Sequence, residues 1–221
     1  MKTRFTFSIV LMLTVIVLLL GLSSTARLAR ADRGNFVGPL ATVQDITVRF
    51  RGVDRPVSYY VPTSYSRGTP VPLLFFLHGG SQDSSVWLDP ARNVLDYAEA
   101  QEFIAVFPNG LPRPDAAPGS TSYFWEDPVN IPYQGYLIDL MISNFTIDTR
   151  RVYFIGFSGG AKTCYRLAVD RKISPRIAAI ATMAGEFGQK AVAPADAPWE
   201  IIDPVASGGT PMSALLLQGR Q

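Results

Sequence analysis

Ser158 is the residue of this sequence whose type and setting could together do covalent chemistry. A serine hydroxyl is a weak nucleophile until its surroundings activate it. Val152, Tyr153, Phe154 and Ile155 form a β-branched and aromatic run, as a buried parallel strand requires. The run meets Gly156-Phe157-Ser158-Gly159-Gly160, a G-x-S-x-G pattern. From Ala161 the period changes, with Ala161, Cys164, Tyr165 and Ala168 at i, i+3, i+4 and i+7, an apolar stripe on a helix. Strand, tight turn and helix in that order are the setting of a nucleophile elbow, where strained backbone lifts Oγ above the sheet. Gly156 and Gly160 leave room for the close approach of strand and helix. The helix behind Ser158 aims its free N–H groups and positive dipole end at the place where an oxyanion would develop.

The partners of such a serine are harder to find. The chain holds one histidine, His78, in His78-Gly79-Gly80-Ser81-Gln82, directly after the continuous apolar run Val71 to Leu77. To act as general base it would have to replace a residue arriving from a different strand end. Asp139 and Asp148 precede the serine, which suits helix-surface and turn roles rather than a triad. Glu186 follows a strand that comes after the serine, a place where an acid can serve, with hydrogen bonding inside its loop as the plainer role. Trp125 stands with Tyr123 and Phe124 in a proline-rich stretch, Leu111 to Pro132, that has no clear period. A loop of that length in a compact domain is usually functional. Its aromatics either stack on an aromatic or sugar-linked ester or form the loop's own small core. No group of His, Cys, Asp and Glu has metal-ligand spacing and no glycine loop suits a phosphate, so neither a metal nor a cofactor is expected.

The elements that must hold these residues alternate along the chain. Thr42 to Phe50 and Pro56 to Val61 alternate apolar and polar residues about the turn 51–55, which predicts an antiparallel hairpin at a sheet edge. Val71 to Leu77, Phe103 to Phe107, Ile177 to Met183 and Ser213 to Leu217 read as buried strands. Helical spacing covers Pro90 to Glu102 and Gln134 to Phe145. The pattern implies one domain with a mainly parallel sheet and helices on both faces. Its 221 residues, 48% of them hydrophobic, can bury one good core. Cys164 lies on a predicted apolar helix face and reads as a small buried hydrophobe; as the sole cysteine it can form no intramolecular disulfide.

The N-terminus reads as a targeting segment. Lys2 and Arg4 precede the apolar run Phe5 to Leu22, and Ser24-x-Ala26 and Ala29-x-Ala31 are candidate cleavage sites. Residues 1–31 are thus expected to be a signal peptide, with an uncleaved membrane anchor as the alternative. Residues 32–41 read as a linker and 42–221 as the domain. Four of the 20 basic residues, Lys2, Arg4, Arg27 and Arg30, lie in that first segment, leaving 16 against 18 acidic ones. With no basic run in the body, nucleic acid is not an expected partner, and a membrane is one only through an uncleaved segment. The body is expected to be secreted, extracellular or periplasmic.

The stretches VPLLFFLHGGSQ (71–82), FIAVFPNG (103–110), IDTRRVYFIGFSGG (147–160) and AAIATMAGEF (178–187) resemble the α/β-hydrolase serine esterases of the polyhydroxybutyrate depolymerase and feruloyl or acetylxylan esterase group. The resemblance runs over roughly residues 42–219. It implies an α/β-hydrolase fold, Ser158 as nucleophile, and the backbone N–H groups of Gly80 and Gly159 as the oxyanion hole. It also implies a carboxylic ester as substrate: a polyhydroxyalkanoate, or a feruloyl or acetyl group on a polysaccharide. In the family the triad acid follows the strand that Ser213 to Leu217 matches, and the histidine comes later. No residue here matches either, so the expectation is a domain incomplete at its C-terminal edge and a chain that is nearly inactive as it stands. The other readings are a binding protein on a hydrolase fold, or a peptidase, thioesterase or lipase on the same fold.

Overall fold

A computed structural model describes residues 40–114, 122–125, 129–185 and 213–217, the last as backbone only. The segment 1–31, most of the linker, Glu186 and residues 199–209 therefore lie outside the described residues. Among the described residues no helix is long and apolar enough to cross a membrane.

Among the described residues, seven strands form one sheet in the order β1-β2-β4-β3-β7-β8-β9. Strands β1 (Val43–Phe50) and β2 (Val53–Tyr60) pair antiparallel at one edge. The turn between them is tighter than the sequence suggests. Arg51 and Gly52, at φ 50° and 82°, make a two-residue reversal, so Val53 to Arg55 belong to the strand. β3 (Val71–Leu77) pairs parallel with β4 (Ile104–Pro108) and β7 (Ile147–Phe157), β7 with β8 (Ala179–Met183), and β8 with β9 (Ser213–Leu217). The second short sheet, β5 (Leu111–Pro112) with β6 (Tyr123–Phe124), falls in the stretch that had no readable period.

The all-apolar strands are buried on both faces, as their composition demands. Leu73, Phe75 and Leu77 face α3 (Asn130–Asn144) and α4 (Gly159–Val169), in one core with Leu137, Ile138, Cys164 and Leu167. Leu74 and Phe76 face the other way, against Trp87 of α1 (Ser85–Leu88) and Val94 and Ala98 of α2 (Val94–Ala100). Phe75 and Phe154 stack with ring centroids 4.5 Å apart at the centre of the sheet.

Further elements differ from the sequence expectation for identifiable reasons. β7 is 11 residues long and begins among the charged residues Asp148 to Arg151, whose ion pairs let polar side chains occupy an exposed strand start. α3 begins at Asn130, ahead of Gln134, because Pro132 falls in its first turn, where a missing N–H breaks no helical bond.

Candidate active site

The C-terminal ends of parallel strands are where α/β sheets place their sites, and β7 ends at Phe157 with Ser158 next. Ser158 has φ 51° and ψ −109°, a conformation a side-chain-bearing residue holds only under constraint. The constraint is visible on both sides. Its N–H donates to the Met183 carbonyl of β8 at 2.9 Å, and its carbonyl accepts from the Lys162 N–H at 3.2 Å, opening α4. A serine at a helix N-cap ordinarily turns its hydroxyl onto the first amides. Ser158 makes no such bond, and its side chain is only half-buried, so among the described residues Oγ is left uncommitted.

The loop after β3 crosses directly over this turn. The Gly80 nitrogen lies 3.0 Å from where a Cβ on Gly159 would be. The Gly80 N–H has no partner among the described residues, and the Gly159 N–H belongs to the free first turn of a helix. Among the described residues, two unpaired amides thus lie close together at the turn that carries Ser158. That close approach needs glycine: a Cβ on Gly160 would come within 2.3 Å of the Leu77 carbonyl oxygen, and one on Gly156 within 2.5 Å of the Gly160 backbone.

His78 lies beneath this surface and is fully buried. Its Nδ1 is 2.6 Å from the Gly79 carbonyl oxygen, which can only accept, and Nε2 lies 3.2 Å from the Gly110 N–H, which can only donate. Those partners fix a neutral ring with the proton on Nδ1. Burial lowers its pKa to about 4. Both ring nitrogens are spent on the backbone, so His78 is a structural member of the loop.

Trp125 is half-buried against the same loop. Its indole N–H donates to the His78 carbonyl at 2.7 Å, and its ring lies 4.8 Å from the imidazole, centroid to centroid. Its Cδ1 is 3.5 Å from the Cβ position of Gly159. Asp139 pairs with Arg176, and Asp148 with Arg150 and Arg151. Cys164 is buried, and burial pushes its thiol pKa up. Nothing in the sequence signals the bonds from residues 110–125 to the 78–82 loop, because they join groups far apart in the chain.

No family model matches the sequence. Over 137 residues, 62% of the chain, it is 28% identical to the bifunctional acetylxylan esterase/xylanase XynS20E of Neocallimastix patriciarum. The match spans 19% of that protein's length. Among solved structures it is similar to the S-formylglutathione hydrolase FrmB of Staphylococcus aureus, with TM-score 0.60 and 17% identity over 81% of this chain and 80% of that one. The substrate-bound fluorophosphonate-binding serine hydrolase FphF of Staphylococcus aureus superposes with TM-score 0.59 and 18% identity, at the same coverages. A ferulic acid esterase gives TM-score 0.52 and 19% identity over 70% of this chain and 62% of that one. At these identities the likeness is one of architecture, and together with the sheet order and the serine turn it makes the fold of this chain the α/β-hydrolase fold.

Proposed function

We propose that this chain carries the nucleophile and oxyanion hole of a secreted serine esterase acting on carboxylic esters. The observation that carries the reading is the juxtaposition of an uncommitted, strained Ser158 with the unpaired amides of Gly80 and Gly159. In the reaction Ser158 Oγ attacks the ester carbonyl carbon, and the carbonyl electron pair moves onto the oxygen held by the two amides. The serine proton passes to a base, which returns it to the leaving oxygen as the tetrahedral adduct collapses and the C–O bond to the alcohol breaks. Water then releases the acid by the same route. The likeness to an acetylxylan esterase supports an ester linked to a polysaccharide, acetyl or feruloyl, ahead of a polyhydroxyalkanoate.

His78 does not fit the role of base, since both its nitrogens are engaged. The one histidine of these 221 residues is therefore not the imidazole of a triad. The same observation favours a second reading, a non-catalytic binding protein on this fold. Both are tested by assaying a short-chain p-nitrophenyl ester and a fluorophosphonate probe on the 221-residue chain and on any longer product of the same gene, each beside Ser158→Ala. The esterase reading expects the longer product to turn over, with the adduct on Ser158. The 221 residues alone should keep a residual rate roughly a thousandfold above water, from the oxyanion hole. Robust turnover by the 221-residue chain would overturn the exclusion of His78, and an adduct at another residue would overturn Ser158. No turnover by any product favours the binding protein.

A further inference from the structure

We propose that Trp125 is a positioning residue for the oxyanion hole: its indole N–H, bonded to the His78 carbonyl, holds the 78–82 loop with the Gly80 nitrogen against Gly159, the residue after Ser158. The inference rests on the esterase reading for its kinetic part and on the loop's bonding for the rest.

The loop has little of its own to fix it. Gly79 and Gly80 are flexible residues, Ser81 is held at φ 60°, and Gly80 is exposed. An amide that is to stabilise charge in a transition state must already point at the oxyanion position, because reorienting it during reaction forfeits the gain. What fixes the loop comes from residues 109–125. The Ser81 N–H donates to the Tyr123 carbonyl at 2.8 Å, and the Tyr123 N–H donates to the Gln82 carbonyl at 3.0 Å. Arg113 Nη1 donates to Ser81 Oγ at 2.8 Å, and the Gly110 N–H holds His78 Nε2. Within the loop, Gln82 Oε1 accepts from the Gly79 N–H at 3.0 Å. These contacts hold both ends of the loop.

Trp125 adds a bond at the loop's entry, directly before the two glycines. Its N–H takes the His78 carbonyl, one peptide before the Gly79–Gly80 link, while its ring spans from the imidazole to the first turn of α4 beside Gly159. One side chain is thus bonded to the loop and lies beside the first turn of α4. A tryptophan serving only to stack on substrate would leave its N–H for water or substrate; here the donor is committed to the loop.

The test uses the full chain with Trp125→Phe, which keeps an aromatic ring and loses the donor, and Trp125→Leu, which loses both. Amide hydrogen exchange at Gly79, Ser81 and Gly110 should quicken about tenfold in Trp125→Phe, with Phe75 and Phe154 in the central strands unchanged. In any Ser158-dependent hydrolysis, kcat should fall about tenfold at constant KM, and further in Trp125→Leu. A KM that rises while kcat holds would make Trp125 a substrate contact and overturn the proposal. Unchanged loop exchange in both variants would overturn it as well. If neither the 221-residue chain nor a longer product of the same gene shows Ser158-dependent hydrolysis, the esterase reading fails separately, and exchange alone decides the role of Trp125.

Discussion

A lone histidine two residues from a candidate oxyanion amide invites a catalytic reading, and its hydrogen bonds decide against it. His78 donates through Nδ1 and accepts through Nε2, so a proton from Ser158 has no lone pair to go to. The same burial makes His78 a stability switch. Its pKa is about 4 in the folded chain, against an ordinary 6.5. Between those values the unfolded chain takes up a proton that the folded chain refuses, so stability is full above pH 6.5 and falls as pH drops towards 4. The difference corresponds to about 3 kcal/mol once the whole window is crossed. Urea unfolding at pH 7 and pH 4.5 should therefore show a drop about 2.5 kcal/mol larger for the wild type than for His78→Gln, which does not titrate there. Equal drops in the two proteins would show that His78 is not the proton acceptor. The residue types at 78, 80, 158 and 159 were legible in the sequence; that the imidazole is spent on Gly79 and Gly110 was not, because Gly110 lies 32 positions away.

At the scale of elements, the site is a junction of three: the end of β7, the start of α4, and the loop after β3. Their closeness puts a steric demand on glycine that differs from one position to the next. A Cβ on Gly160 would sit 2.3 Å from the Leu77 carbonyl oxygen and 2.7 Å from that of His78, both backbone atoms that cannot swing aside. A Cβ on Gly80 would meet nothing within 4 Å. Gly160→Ala is therefore expected to destabilise by about 3 kcal/mol or more through displaced backbone, whereas Gly80→Ala should stay within about 1 kcal/mol and keep its amide. Chemical denaturation of the two variants side by side measures this; a Gly160→Ala protein as stable as Gly80→Ala would mean that α4 does not pack against β3 as described. The strands and the helix behind the serine were readable from period alone, since buried strands and amphipathic helices must carry those patterns. The β5–β6 pair was not, because two-residue strands hold too few side chains to show a period.

For the molecule as a whole, charge separates two parts. Residues 1–31 hold four basic residues and no acidic one, and the rest holds 16 basic against 18 acidic. We propose that the first part directs export and that the body works outside the cytoplasm, since a short basic stretch followed by an apolar run is the shape a secretory signal takes. Mass spectrometry of protein recovered from the medium or periplasm is expected to find an N-terminus between about residues 27 and 32. Intact Met1 on membrane-bound material would instead establish an anchor.

The sequence by itself determined the parallel α/β architecture, the strand–serine–helix turn, and the apolar strands that must lie in the middle of the sheet. All of these follow from local period and composition, which a few neighbouring residues carry. Only the tertiary structure decided what each polar group near the serine is bonded to. It committed the imidazole of His78 and the indole N–H of Trp125 to one loop, and left the amides of Gly80 and Gly159 without a partner among the described residues. The physical reason is that a hydrogen bond depends on two groups meeting at about 3 Å, and no spacing along a chain fixes which distant groups will do so.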